Sequence, residues 1–133
     1  MKTAEQKQHL LDIADAIENE PQRFDMKVYY STDESAFCQS VEQAMNHYGT
    51  TMCIAGWSGH IAKDYYNFGI NGAASRMGLS YEDANRLCLS PGMATAENMP
   101  EHLRAKGMSD AVRQIANDAP VEAALDDVAE RYI

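Results

Sequence analysis

The chain has 133 residues, of which 20 are acidic and 11 basic, giving a formal net charge of −9. An apolar fraction of 45% and a charged fraction of 23% are ordinary for globular proteins and exclude a wholly disordered chain. The length predicts one domain over residues 1–133 with a core of its own. The excess of acid disfavours direct binding of nucleic acid or of a membrane surface, whereas it allows a basic protein partner.

The lack of a signal-peptide segment and the use of cysteine both favour a reducing compartment. The residues after Met1 contain no apolar segment of the kind found in signal peptides. No window approaches the roughly 20 apolar residues that span a bilayer. The cysteines (Cys38, Cys53 and Cys88) are odd in number and contain no C-x-x-C pair, which favours free thiols. We therefore expect a cytoplasmic protein without a membrane segment.

The first third of the chain predicts two helices separated by extended chain. Thr3 to Gln6 has the sequence of a capping box, and apolar residues follow at helical spacing until Pro21 ends the helix. Residues 24–30 alternate apolar and polar for a few positions. Because no second strand is evident, they predict extended chain or a minor β-hairpin. A helix at about residues 35–47 follows.

The next predicted helix, over residues 52–64 and capped by Thr50 or Thr51, carries small residues along one side. Each glycine inside a helix costs about 1 kcal/mol relative to alanine, so we expect close packing against this side to offset the cost. The sequence leaves open whether the packing is internal or belongs to a homo-oligomer. The small residues are Ala55, Gly56, Gly59 and Ala62.

Capping signals divide the rest of the chain into short helices. One ends at Gly78, Ser80 caps the next, and residues 90–100 are predicted as a loop. Ser109 is the predicted cap of another helix, and Pro120 precedes the last. The sequence therefore predicts an all-α fold, or a mainly α fold with at most a minor hairpin near residues 24–30, built as a compact bundle of five to seven helices.

Cys53 is the candidate catalytic residue. It stands at the start of the predicted helix 52–64, where free backbone N–H groups lower the pKa of a thiol, as in cysteine peptidases and transglutaminase-like enzymes. His60 shares its face of the helix but lies roughly 10 Å further along the axis. A nucleophile and its base need to be about 3 Å apart. A base must therefore come from elsewhere, the choices being His9, His47 and His102. The alternative is an inert buried thiol.

Metal and DNA sites are not predicted. His47, Cys53 and His60 lack the close pair spacing of zinc sites, and no cofactor motif is present. Residues 73–89 have the outline of a helix-turn-helix, but the second helix presents acids, so an ordinary helical hairpin is favoured.

Two groups of residues are candidates for binding a partner. Aromatic side chains in and after the helix 52–64 are placed to border a groove, although core packing is their alternative role. The last helix carries a group of acids. The candidates are Trp57, Tyr65, Tyr66 and Phe68 in the first group and Asp126, Asp127 and Glu130 in the second.

Three short segments carry a resemblance to other proteins: Arg-Phe-Asp-Met at 23–26, Gly-Thr-Thr-Met-Cys-Ile-Ala-Gly-Trp at 49–57 and Met-Gly-Leu-Ser at 77–80. They resemble the Cys-Gly-Thr-x-x-Cys-x-Ala-Gly segment and the Leu-Gly-Leu hairpin of a loose group of small bacterial and phage proteins. Tyr48 stands where the first cysteine of that group would be, which argues against an essential cysteine pair. The resemblance implies a helical fold and a bacterial or phage setting, and it implies no mechanism.

Taken together, these features predict a non-enzymatic protein-binding module that serves a phage or mobile element as an accessory to, or inhibitor of, a host protein. In one version its acidic face imitates DNA for a basic partner. One alternative is a cysteine-dependent hydrolase or transferase with Cys53 as nucleophile. The other is a small structural homo-oligomer in contact through the side from Ala55 to Ala62.

Overall fold

A computed structural model describes residues 2–31, 40–47, 50–65, 67 and 69–133, and these residues form eight α-helices. Six of the helices have eight residues or more, so the predicted all-α bundle is confirmed, with α2 and α6 as shorter additions. A single 3-10 turn follows α1 at Pro21–Arg23. The helices are α1 (Ala4–Asn19), α2 (Val41–Asn46), α3 (Ile54–Ala62), α4 (Ile70–Met77), α5 (Tyr81–Cys88), α6 (Gly92–Asn98), α7 (Glu101–Ala116) and α8 (Val121–Tyr132).

Several predicted helix ends are confirmed by their hydrogen bonds. The Thr3 hydroxyl accepts from the Gln6 amide at 3.1 Å, and the Gln6 side chain accepts from the Thr3 amide at 2.9 Å, which completes the capping box. Ser80 caps α5 by accepting from the Asp83 amide at 3.1 Å. Gly78 ends α4 with a φ of 69°, a left-handed conformation that glycine adopts without strain.

Two predictions for the C-terminal half are wrong. Residues 90–100 are not a loop, because Gly92–Asn98 forms α6. The turn signals of Pro91 and Gly92 mark only its start, and the alanines that follow are good helix formers. Ser109 does not cap a helix. It lies buried within α7, where its hydroxyl is 2.7 Å from the carbonyl oxygen of Ala105 and 3.1 Å from that of Ala14 on α1.

The start of α3 also differs from the prediction. Neither Thr50 nor Thr51 caps it; Cys53 occupies the N-cap position and makes no side-chain cap bond. The residues before it are held as extended chain instead. Thr51 pairs antiparallel with Ser31, and Met52 pairs parallel with Phe24. The two bridges run in opposite directions, and Met26 and Lys27 form a turn between them. Residues 24–30 are therefore neither one extended stretch nor a local hairpin; the chain reverses direction while both ends of the segment pair with residues 51–52.

Helix α2 accounts for part of the helix predicted at residues 35–47. It begins after Ser40, whose hydroxyl accepts from the Gln43 amide at 3.1 Å. Residues 35–39 of the prediction lie outside the described residues.

Helix α3 is buried from Ile54 to Gly59, and α1, α2 and α4 pack around it. Helix α1 also packs against α7, which in turn packs against α8. The buried apolar residues of these helices form one connected core. Within the described ranges, none of the helices combines the length and the apolar character that a bilayer span requires.

The small residues of α3 are internal packing along most of that side. Ala55, Gly56 and Gly59 are buried, and only Ala62 is exposed. A Cβ atom added at Gly56 would lie 1.8 Å from the backbone oxygen of Tyr29, so the segment 24–31 lies directly against the helix. This contact explains the glycine, and it removes most of that side as a surface for a homo-oligomer.

Replacing Gly56 with alanine is expected to lower the free energy of unfolding by about 2 kcal/mol or more, because the Tyr29 backbone must move away from α3. Gly69→Ala is the matched control. A Cβ there meets nothing within 4 Å, and the backbone φ of −82° suits alanine. Urea unfolding of both variants, followed by the fluorescence of Trp57, measures the difference. Equal losses in the two variants would contradict the close contact.

Candidate functional site

Cys53, the candidate nucleophile, is only 3% exposed and lies beneath the segment 24–31. Its amide donates to the Val28 carbonyl oxygen at 2.9 Å, which fixes the segment over the start of α3. Burial raises the pKa of the Cys53 thiol; the nearby backbone amides of Gly56 and Ala55 act in the opposite direction, but burial is the larger effect. The helix N-terminus therefore does not produce the reactive thiolate that the sequence position allows.

Cys88 belongs to the same buried core as Cys53, although the two are far apart in the sequence. Burial raises the pKa of the Cys88 thiol, and the charge of a Cys53 thiolate would raise it further. Both cysteines are free and buried. Among the described hydrogen bonds, neither His9 nor His102 contacts Cys53, so the structure supplies no base from these two candidates.

Both thiols are expected to be inert to iodoacetamide at pH 7 in the native protein and to react once urea unfolds it, because their protonated forms are favoured and solvent does not reach them. Peptide mass spectrometry distinguishes Cys53 and Cys88 from Cys38 in the same sample. Rapid native alkylation of Cys53 would revive the cysteine-dependent enzyme.

Trp57 belongs to the core rather than to a binding surface, since it is 2% exposed. The guanidinium of Arg23 lies 5.3 Å from the centre of its ring, and His60 packs against it edge-on with ring centres 5.5 Å apart. Arg23 is itself buried and donates to the carbonyl oxygens of Thr50 at 2.9 Å and Met45 at 2.7 Å. The indole therefore anchors the segment before α3 to the helix.

A polar cluster on α1, α3 and α4 joins residues that no sequence motif connects. Ser58, fully buried on α3, lies 2.7 Å from Nε2 of His9 and accepts from Nε of Arg76 at 2.9 Å. Arg76 also pairs with Asp64 at 3.3 Å and donates to the Asn67 carbonyl oxygen at 2.8 Å. The sequence gives no indication of this cluster, because His9, Ser58 and Arg76 lie on three separate helices and meet only through tertiary packing.

The Ser58–His9 pair has the separation of a catalytic serine and its base but not the accessibility. Ser58 has no exposed surface, and its oxygen already accepts from Arg76, so its hydroxyl hydrogen points to Nε2 of a neutral His9. Burial lowers the pKa of His9, the positive charge of Arg76 lowers it further, and Asp12 acts in the opposite direction. The cluster thus fixes three helices in place and presents no nucleophile.

Acidification is expected to destabilise the protein through His9 and His60, because burial lowers the pKa of both in the folded state. At a pH above the ordinary histidine pKa of 6.5, each neutral histidine makes its full contribution to the free energy of unfolding. That contribution is lost as the pH falls from 6.5 toward the lower pKa of the folded state. The free energy of unfolding should therefore fall between pH 7.5 and pH 5.5.

His9→Gln provides the control for this pH dependence, since glutamine offers Ser58 an acceptor oxygen and does not titrate. Its unfolding free energy should fall less steeply with decreasing pH than that of the unmodified protein. The same slope in both proteins would exclude His9 as a source of the dependence.

The remaining predicted binding residues fall into different environments. Tyr65 is half-buried, and its hydroxyl lies 3.4 Å from the Asn46 amide nitrogen. Asp126 and Glu130 are exposed on α8. Asp127 is half-buried and bound within the protein, 2.7 Å from the Gln114 amide and 2.9 Å from Arg131. Two further predictions, Tyr66 and Phe68, lie outside the described residues.

Comparisons with protein-family models, curated proteins and solved structures find no match for the chain. The resemblance to small bacterial and phage proteins therefore stays a prediction. The residues that the structure describes contain no group of three or more histidine, cysteine, aspartate or glutamate side chains placed to hold a metal ion.

Proposed function

We propose that the protein is a binding module that engages a basic partner protein through the acidic face of α8. The observation that supports this is a stripe of three exposed carboxylates (Glu122, Asp126 and Glu130) with no ion pair among the described residues. They recur every four residues, which places successive side chains about 6 Å apart along the helix axis on one face. We call them the α8 stripe.

Other described carboxylates, such as Glu5 and Glu42, also lack an ion pair, but the α8 stripe places three of them in succession on one face of one helix. Every arginine forms at least one ion pair with a carboxylate, and Arg113 alone contacts Asp15, Glu18 and Asp110. On α8 itself, Arg131 pairs with Asp127 and Asp110, both outside the stripe. Like charges at i and i+4 destabilise a helix by about 0.2–0.5 kcal/mol per pair. A cationic partner would offset that cost.

Helix α8 is a rigid support for such a surface. Its opposite side is buried through Val121, Ala124, Leu125 and Val128. The Tyr132 hydroxyl hydrogen-bonds Asp110 on α7, which fixes the far end of the helix. The carboxylates therefore keep a fixed spacing, as a surface that competes for a phosphate-binding protein requires. In the bacterial or phage setting, a host protein that binds nucleic acid is the partner we propose.

Neutralising the stripe with Glu122→Gln, Asp126→Asn and Glu130→Gln tests the proposal. The matched control is Glu5→Gln, Glu42→Gln and Glu82→Gln, which changes the net charge equally but places the three exposed sites on three different helices. In pull-downs from nuclease-treated bacterial lysate at low salt, the unmodified protein and the control should capture a stoichiometric partner that is lost at high salt.

The stripe variant should capture at least about tenfold less, as expected when several contacts worth up to about 1 kcal/mol each are removed together. It should also unfold at the same temperature as the unmodified protein or slightly above, since repulsion is relieved, so that lost binding is not lost folding. Equal capture by both triple variants, or no partner at low salt for the unmodified protein, would exclude the α8 stripe as the binding surface.

A further inference from the structure

A cleft of about 540 Å³ lies between the residues that follow α1 and helices α6 and α7. Its volume is within the range of pockets that bind a small ligand or one large side chain. Residues 21–27 form one wall, and Ala96 and Glu97 with the start of α7 form the other. No sequence motif marks this cleft, because its two walls are far apart along the chain.

Both walls are held by hydrogen bonds, so the cleft does not depend on a bound molecule for its shape. The Asp25 amide donates to the Met52 carbonyl oxygen at 3.0 Å, which ties the first wall to the start of α3. On the second wall, the Arg104 guanidinium donates to the carbonyl oxygens of Ala96 at 3.1 Å and Glu97 at 3.1 Å. The end of α6 is thereby fixed to α7.

The lining of the cleft is apolar at its base. Met26, Ala96 and Ala105 are almost completely buried, and the half-buried ring of Phe24 packs against the core beside them. The charged side chains of the lining are more exposed than this base, so a ligand that enters the cleft meets charge first and apolar surface below it. The aliphatic stem of a long side chain suits such a surface.

The titratable residues that line the cleft are three carboxylates, two cations and one histidine, so the carboxylates outnumber the permanent cations by one: Asp25, Glu97, Glu101, Lys27, Arg104 and His102. Lys27 and Arg104 both lie near the same oxygen of Glu97, at 4.0 Å and 3.9 Å. Two other carboxylates, Asp25 on one wall and Glu101 on the other, have no ion pair among the described residues. A cation between the walls would be attracted by both of them.

We propose that this cleft receives an arginine side chain from an exposed segment of the partner protein, its stem on the ring of Phe24 and its guanidinium between Asp25 and Glu101. Arginine fits better than lysine because its planar group hydrogen-bonds carboxylates in pairs and stacks on an aromatic ring. The proposal rests on the proposed function only in taking a basic protein as the source of the side chain. It adds a second contact, separate from the α8 stripe.

The probe for this site is N-acetyl-arginine amide, added to the ¹⁵N-labelled full chain and followed by amide chemical shifts. N-acetyl-citrulline amide, which has nearly the same shape without the charge, is the control ligand, and N-acetyl-lysine amide tests the preference for a guanidinium. We expect saturable shifts confined to residues 21–27 and 96–105. Citrulline should produce less than about a tenth of the effect, and lysine should bind more weakly than arginine.

Two conservative variants locate the contact. Asp25→Asn retains the oxygen that accepts from the Lys27 amide at 2.9 Å, and Glu101 is exposed, so both Asp25→Asn and Glu101→Gln should fold normally. Each variant should bind the probe with about threefold lower affinity, which corresponds to the loss of one partly exposed charge contact. The α8 stripe variant should bind the probe as the unmodified protein does.

Three results would overturn the proposal: shifts spread over α8 and the other acidic surfaces, equal binding of citrulline, or unchanged affinity in both carboxamide variants. The outcomes for the two proposals are distinguishable. Probe binding in the cleft without capture of a partner contradicts the proposed function alone. Capture that depends on the α8 stripe, with no probe binding in the cleft, contradicts this inference alone.

Discussion

The contact between the Tyr29 backbone and Gly56 is the constraint on which the rest of the structure depends. It allows the segment 24–31 to lie directly on α3. The backbone hydrogen bonds between that segment and residues 51–53 hold Cys53 at the start of the helix. A helix buried from Ile54 to Gly59 needs neighbours on every side. The segment 24–31 supplies one of them where no helix does, and its first residues also form part of one wall of the cleft against α6 and α7.

Buried polar groups then fix the orientation of α3. Arg23 and Trp57 join its first turns to the preceding segment, and Ser58 joins its middle to His9 and Arg76 on neighbouring helices. Two groups on α3 resemble parts of active sites when each is considered by itself: the Cys53 thiol at the start of the helix and Ser58 beside His9. Their burial and their existing partners make them structural. Exposed carboxylates without an ion pair among the described residues lie elsewhere, three of them on one face of α8, and the binding role that we propose rests on those three.

What the sequence could predict was local. The capping box at Thr3, the glycine at position 78 and the serine at position 80 act through neighbouring residues, so each helix end was predicted correctly. Ser109 has the same residue type as a cap, but its hydroxyl meets a carbonyl of α1, a partner far away in the chain. Helix α6 was hidden by turn residues at its start, and its packing against α5 and α7 is a tertiary effect.

The candidate site divides in the same way. The acids of the last helix were visible as a group, and Asp126 and Glu130 are exposed as that prediction requires. That Asp127 is bound to Gln114 while Glu122 is not bound depends on how α8 is rotated against α7, which periodicity defines only approximately. Trp57 could not be assigned from the sequence to surface or core, because a large aromatic side chain suits both. Neither the burial of Cys53 and Cys88 in one core nor the cleft has any local signal in the sequence.

The packing of α1 against α7 has a consequence for synthesis on the ribosome. Ala14 of α1 accepts from Ser109 of α7, residues 95 positions apart. At about 5–20 residues per second, translation takes roughly 5–20 s to cover such an interval. During that time the apolar face of α1 has been made but its main partner has not. Leu10, Ile13 and Ile17 on that face can meet α3 and α4 earlier, but the face is completed only when the C-terminal helices emerge.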